Sequence, residues 1–317
     1  MGKEIHKSKI GGQALIEGIM MKGVKTAAMA CRLPDGTIDV ETWAENNGKD
    51  APWYRKAPFI RGSFNFVSSL VSGYKCLMKS AEKQMTEEET EEEMSKFEKW
   101  LTEKLGENLM SVISAIAMVI GVVFSLFLFK FIPTFITKPL ENMTVLRTAA
   151  EGILKIIIFV GYLWATSKMK DIRRTYEYHG AEHKTIACLE AHEELTVENI
   201  KKHSRFHPRC GTSFIFITLF TSIFVFCFIP SFAGYDKAAR IFLRLGIQII
   251  LLPLIIGIAY EFIRLAGSKN NAFTKLISAP GLQSQKLTTR EPDDSQIEVA
   301  IAAIKPCIPE NLEDDVW

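Results

Sequence analysis

Leu109-Met-Ser-Val-Ile-Ser-Ala-Ile-Ala-Met-Val-Ile-Gly-Val-Val-Phe-Ser-Leu-Phe-Leu-Phe129 runs without a single charged side chain. Wound as an α-helix it covers roughly 30 Å, the thickness of a bilayer's hydrocarbon core. Three further windows are almost as free of charge: Ile156 to Ser167, Ser213 to Ala233 and Leu245 to Tyr260. The second reaches spanning length by starting near Leu146 and carrying Glu151 and Lys155, which are four apart and able to pair on one face. The fourth does so by opening at Ile241 and letting Arg244 snorkel outward. One such stretch could be a buried helix of a soluble protein. Several in one chain predict membrane spans instead.

The bulk composition excludes some classes. Lys+Arg 38 against Asp+Glu 36 leaves no basic footprint for nucleic acid. The six cysteines (Cys31, Cys76, Cys188, Cys210, Cys227 and Cys307) contain no C-x-x-C pair, which fits a reducing compartment. No signal peptide is expected, because Glu17 interrupts the apolar part of Ile10 to Met21.

Loop charge orients the spans. Lys168 to Arg209 carries nine Lys and Arg residues, whereas the other inter-helix loops carry Lys130, Lys138 and Arg147, or Lys237 and Arg240. The positive-inside rule puts the basic loop in the cytoplasm, and an even number of spans puts both termini there too. The expected fold is therefore a mainly α, multi-pass cell-membrane protein with about four transmembrane helices. Residues 1–83 form an N-terminal cytoplasmic region, 84–107 a charged linker helix, 108–268 the four-span domain with its loop 168–211, and 269–317 a cytoplasmic tail.

Within 1–83, Ala27 to Trp43 reads as a β-hairpin about Pro34-Asp35-Gly36. Gly11-Gly12-Gln13-Ala14 reads on its own as a flexible turn before a short apolar stretch. Pro58 to Lys79 places Ile60, Phe64, Val67, Val71, Tyr74 and Met78 on one helical face, for the small sheet or for the membrane interface. Glu87 to Glu93 reads as a solvated helix capped by Thr86. In the tail, Thr288 to Asp294 looks like a helix start, and Ile297, Ala300, Ile301 and Ile304 give that helix an apolar stripe that should dock.

The chemistry gathers in the basic loop. His179-Gly180-Ala181-Glu182-His183 reads H-x-x-E-H on a helix expected from about Lys170 to Glu193. Residues four apart share a face, so two imidazoles can converge on one metal ion with a carboxylate beside them. Glu190 falls near that face but too far along to be a third ligand, and Cys188 falls opposite. A catalytic zinc site takes three protein ligands, so a second segment must contribute. His207-Pro208-Arg209-Cys210-Gly211 is the obvious source, with Cys210 slightly preferred over His207. Thr196 to Lys202 should form a short helix that turns the chain back toward the motif. His192 and His203 read as solvated, and Cys31, Cys76, Cys227 and Cys307 as packing residues.

Four stretches then carry a resemblance: Gly11 to Met21, Tyr178 to Lys184, His207 to Phe214, and Thr288 to Pro292. Together they resemble the YqhQ-like family, bacterial membrane proteins of unassigned function described as predicted metal-dependent enzymes. The resemblance implies a metal at His179 and His183, with Glu182 and the His207/Cys210 turn as matching positions. It also makes Gln13 and Glu17 candidates to pack over the site, and Arg290 a partner for a nearby anionic group.

The expected function is a metal-dependent hydrolase at the cytoplasmic membrane surface, with a divalent metal, zinc by preference. Glu182 would be its general base, and Arg209 (or Arg205) would stabilise a developing oxyanion. A membrane-proximal peptide or a lipid-linked molecule would be the substrate. The alternative is a non-enzymatic membrane scaffold or assembly factor, whose structural metal would take His179, His183, His207 and Cys210 together. A transporter fits least, since charges inside the spans are few.

Overall fold

Four short strands form an antiparallel sheet in the order β1-β2-β3-β4: Gly11–Leu15, Gly18–Lys22, Thr26–Arg32 and Ile38–Ala44. They belong to a computed structural model that describes residues 7–48, 51–84, 109–140, 143–232, 234–268 and 271–315. The acidic run and, from residue 85 on, the linker helix expected over 84–107 lie outside these residues. By its contacts the chain divides into two compact units, residues 1–84 with 160–317, and residues 85–159.

The expected hairpin is β3 with β4, pairing Thr26 to Ala44 through Arg32 to Ile38. The sequence did not announce its neighbour. Gly11 to Lys22 is a second hairpin rather than a flexible turn, closed through Ile16 and Glu17, the latter at φ 49°. Its missing signal has a physical cause, since β2 is buried on both faces and no polar face alternates there with the apolar one. The pleat sends Ile19, Met21, Ala28 and Ala30 into a core with Tyr178, Ile186, Ile297 and Ile304. Leu15, Met20, Met29 and Cys31 go to the opposite face, against Cys76.

Cys76 lies on α1 (Ile60–Gln84). Of the two placements expected for its apolar stripe, packing on the small sheet is not the one seen, because the buried residues of this helix are the small ones, Gly62, Gly73, Cys76 and Ser80. Ile60, Phe64, Val67, Val71 and Tyr74 of the apolar stripe are exposed.

The apolar windows become helices. α2 (Leu109–Leu126) continues through a π-helical turn at Phe127–Phe131 into Ile132–Ile136. α3 (Thr144–Thr166) follows it. There Glu151 pairs with Arg147 at 3.1 Å, rather than with Lys155. α4 (Lys170–Glu190) carries the H-x-x-E-H motif, and α5 (Val197–Lys202) is capped by the Thr196 hydroxyl as expected. α6 (Gly211–Cys227) and α7 (Lys237–Ser268) complete the apolar set.

Among the described residues, three helical stretches are long and apolar enough to cross a membrane: Ala115–Ile136, Thr144–Thr166 and Ala238–Ser268. α6 is apolar but shorter, 17 residues, because Pro230 forces the residue before it out of helical geometry.

In the tail, α8 (Ala272–Thr288) and α9 (Asp294–Ile304) are both helical. α8 runs through Ala279-Pro280-Gly281, and a Cβ on Gly281 would lie 2.6 Å from Ser213 Cα, so the glycine serves close packing on α6. α9 docks as its stripe requires, burying Ile297, Val299, Ala300, Ala303 and Ile304 beside α4 and the sheet.

Candidate metal centre

His179 and His183 sit one turn apart on α4, with ring centroids 4.4 Å from each other. Cys210, the residue before α6, approaches them, and its Sγ is 3.2 Å from His179 Nε2. One donor atom from each of these three residues lies within 4.8 Å of the other two. A tetrahedral zinc with ordinary bond lengths keeps a nitrogen and a sulfur about 3.5 Å apart.

Both rings are oriented from behind. His179 Nδ1 is 2.8 Å from the Thr288 carbonyl, and His183 Nδ1 is 2.6 Å from the Arg205 carbonyl. A carbonyl can only accept, so each Nδ1 carries the proton and each Nε2 is left as a ligand atom. Ligating histidines are fixed in this manner by their second ring nitrogen.

Electrostatics support the donor set. Burial opposes a charge on Cys210, but the two imidazoles beside it hold its thiol well below the usual value. Burial likewise opposes a charged His179, yet the facing Cys210 lifts it to about 9. Glu182 is 5% exposed, and burial raises its carboxyl above the ordinary range against the pull of both imidazoles. The backbone N–H of Gly12 faces this carboxylate, while Glu182 Oε2 is buried without a hydrogen-bond partner among the described residues. A buried carboxylate oxygen left unpaired is costly, and such an atom beside three convergent donors fits a polar or cationic guest.

His207 and Arg209 are directed elsewhere. The His207 ring lies 5.6 Å from that of His183, and its Nε2 is 3.8 Å from Glu190 Oε2. Burial, with the nearby Arg209 and His183, pushes His207 below its usual value, against the pull of Glu190. Its backbone is gripped by Gln285, which accepts from His207 N and donates to His207 O, each at 2.8 Å. Arg209 pairs with Glu190, which also accepts from Ser8 N at 2.8 Å. Arg205 donates to the Thr289 carbonyl at 3.1 Å and lies 3.7 Å from Glu291.

The other motif residues brace this core. Glu17 pairs with Arg174 and accepts from the Tyr178 hydroxyl at 3.0 Å. Gln13 packs on α1, where a Cβ on Gly73 would meet its Oε1 at 2.0 Å. Arg290 works through its backbone, donating to Tyr176 O at 2.8 Å, and its Nε is buried without a partner among the described residues. Lys184 pairs with Glu291 at 2.7 Å. Gln285, Glu190 and Ser8 went unmarked as functional by the sequence. Glu190's place on the histidine face was the one available signal. A second cluster, Cys188 with Glu193 and His203, brings donors together on the far side of α4, but burial raises the Cys188 thiol to about 11.

A family described as "Protein of unknown function (DUF1385)" matches residues 57–310. The "Uncharacterized protein YqhQ" of Bacillus subtilis (strain 168) is 34% identical over 308 residues, covering 95% of this chain and 92% of that protein. No solved structure matches. With one relative aligned almost end to end and the family match spanning most of its length, the chain belongs to the YqhQ-like DUF1385 family.

Proposed function

We propose that this protein is a membrane-embedded, metal-dependent hydrolase whose site faces the cytoplasm. The observation that carries the reading is the triad His179, His183 and Cys210, with both Nδ1 atoms committed to carbonyls and Glu182 Oε2 buried without a partner beside it. The two histidine Nε2 atoms and Cys210 Sγ would hold a divalent metal, zinc by donor set, which when bound supplies a Lewis acid and lowers the pKa of water.

The chain's own residues supply the rest. A carboxyl with a raised pKa suits a group that takes up a proton at Oε2 and passes it on near neutral pH, the role given to Glu182. Gly12 orients that carboxylate through its N–H. Arg209, engaged by Glu190, acts as a brace for the His207–Cys210 turn instead of an oxyanion donor. His207's partnership with Glu190 also favours the open three-ligand site over a closed structural one.

The membrane setting belongs to the same proposal. α6 spans as a fourth, short helix, and the basic segment from Lys168 to Arg209 lies in the cytoplasm with both termini. The substrate is a membrane-proximal peptide or a lipid-linked molecule. The test is metal analysis of the purified full-length protein, joined to turnover of a panel of reporter peptides and lipid-linked esters. Glu182→Gln should keep the metal and lose turnover. Wild-type protein without stoichiometric metal would sink the proposal.

A further inference from the structure

α1 presents Ile60, Phe64, Val67, Val71 and Tyr74 on one exposed face, with Leu70 beside them. From Gly62 to Tyr74 the chain has no charged side chain. A helix on a soluble protein turns such a stripe toward the core. α1 does the reverse and buries Gly62, Gly73, Cys76 and Ser80 on its opposite side. A contiguous apolar face left open in this way marks contact with something apolar.

What covers the stripe follows from where α1 is held. It packs on α7, which contains a stretch long and apolar enough to span. Ser63 Oγ donates to the Pro253 carbonyl at 2.7 Å, Asn65 Nδ2 donates to the Tyr260 hydroxyl at 3.1 Å, and a Cβ on Gly62 would lie 2.9 Å from Gly257 Cα. Pro253 falls at the middle of the uncharged run Leu245 to Tyr260. The start of α1 is therefore level with the middle of that stretch, where α7 exposes Ile249, Ile250, Leu252 and Leu254. At its other end α1 meets the sheet, with Gln13 packed at Gly73. From Ser63 to Tyr74 the helix rises at most about 16 Å, and half a hydrocarbon core is roughly 15 Å. Tyr74 and the exposed Lys75 thus come to the headgroup level, where an aromatic ring and a cation are favoured.

We propose that the apolar face of α1 is immersed in the acyl chains of the leaflet that the C-terminal half of α7 crosses, so that α1 is a half-membrane helix. Lipid depth requires every backbone N–H to be satisfied, and the deep end of α1 meets that demand. Phe59 N donates to Glu261 Oε1 at 3.2 Å and Arg61 N to the Ala57 carbonyl at 2.9 Å. The polar side of the helix has its own setting. Asn65, Ser68 and Ser69 line a cavity of about 550 Å³ that Arg55, Lys56 and Arg61 also line, so the charges near the helix start have a polar space to face. Arg61 Nε is further paired with Glu261 at 2.7 Å. Apolar side chains in lipid with polar ones turned away is the arrangement of an amphipathic membrane helix. This placement goes beyond the hydrolase reading and does not rest on it.

The experiment places the photoreactive residue p-benzoylphenylalanine at Phe64, Val67, Val71 or Tyr74, one at a time, in full-length protein reconstituted into phosphatidylcholine vesicles. All four positions are exposed, so the larger side chain displaces nothing. After irradiation, adducts are identified by mass spectrometry. Phe64, Val67 and Val71 should give lipid adducts in a yield comparable to that at the exposed Ile250 of α7. The new bond should lie on an acyl chain at Phe64 and nearer the glycerol at Tyr74. The exposed Val40 of β4 should give no lipid adduct. The proposal is overturned if Phe64, Val67 and Val71 give no lipid adducts. Cross-linked dimers in their place would overturn it in favour of a second copy of this chain on the stripe. Adducts at Phe64 confined to the headgroup would overturn it too, by placing α1 on the membrane surface. Lipid adducts at Val40 equal to those at Phe64 would have the same force, since labelling would then not report immersion.

Discussion

His179 Nδ1 and the Thr288 carbonyl, 109 residues apart in sequence, meet at 2.8 Å. The contact ties the motif helix to the end of α8 and turns His179 Nε2 toward Cys210, 3.2 Å away. His207 has no such role, since its ring is occupied with Glu190. Metal content should therefore separate the two candidates of the His-Pro-Arg-Cys turn. His179→Ala, His183→Ala and Cys210→Ala should each lose stoichiometric zinc in elemental analysis, while His207→Ala should retain it. Zinc loss in His207→Ala matching that in Cys210→Ala would return His207 to the ligand set.

The centre was legible because its spacing is local. Two imidazoles four residues apart on a helix need no tertiary information to converge, and a helix-breaking turn with Cys210 was a visible third source. Thr288, Arg205 and Gly12 were hidden for the opposite reason. Each contributes a backbone group, and a carbonyl or N–H leaves no mark in side-chain chemistry. The β1–β2 hairpin was hidden because both faces of β2 are covered, which removes the alternation that betrays a half-buried strand.

Gly180 is where this arrangement is least tolerant. A Cβ there would lie 1.9 Å from the Arg290 carbonyl oxygen, backbone against backbone, so the Thr288–Pro292 segment would have to move. Gly180→Ala should cost about 1–3 kcal/mol of stability by overpacking. It should also weaken zinc binding roughly 10- to 100-fold, because Thr288 orients a ligand. Gly121→Ala, where nothing lies within 4 Å of the new atom, is the matched control and should be neutral or slightly stabilising in a thermal melt. Equal zinc affinity in Gly180→Ala and wild type would show that the crossing segment does not position His179.

Gly12→Ala tests the neighbouring contact. The new Cβ would sit 2.7 Å from Met20 O and 3.0 Å from Glu182 Cδ. Zinc should remain bound, because no ligand is displaced, whereas turnover in the reporter panel should fall about as far as in an oriented-base mutant, roughly 10²-fold or more. Unchanged turnover would remove Gly12 as the residue that sets the Glu182 carboxylate.

The Glu190–Arg209 pair is nearly enclosed, with side chains 12% and 5% exposed. Removing one partner of a buried pair leaves an uncompensated charge, so Glu190→Gln should destabilise the fold by about 3–5 kcal/mol. Glu190→Gln with Arg209→Met should recover a good part of that loss, giving a coupling energy readable from a double-mutant cycle of melts. Were Arg209 directed at substrate, Glu190→Gln would leave stability nearly unchanged.

The cap of α9 offers a pH-dependent test away from the candidate metal ligands. Asp293 accepts from Gln296 N at 2.9 Å, and the Gln296 side chain accepts in turn from Asp293 N at 2.9 Å, a reciprocal box at the start of the helix that docks on α4. Burial opposes ionisation of Asp293, but the Ser295 hydroxyl, the Gln296 N–H and the Arg174 charge together outweigh it and hold its carboxyl below the usual 3.8. The folded value lies under the unfolded one, so the unfolded chain takes up the proton first as pH falls. The stabilisation is therefore complete above about pH 4 and is lost as pH drops through the folded value. Asp293→Ala should cost about 1 kcal/mol at neutral pH and progressively less below pH 4, whereas Asp293→Asn should keep most of the cap at every pH. A constant difference between wild type and Asp293→Ala from pH 7 to pH 3 in thermal melts would show that the ionised carboxylate is not what caps the helix.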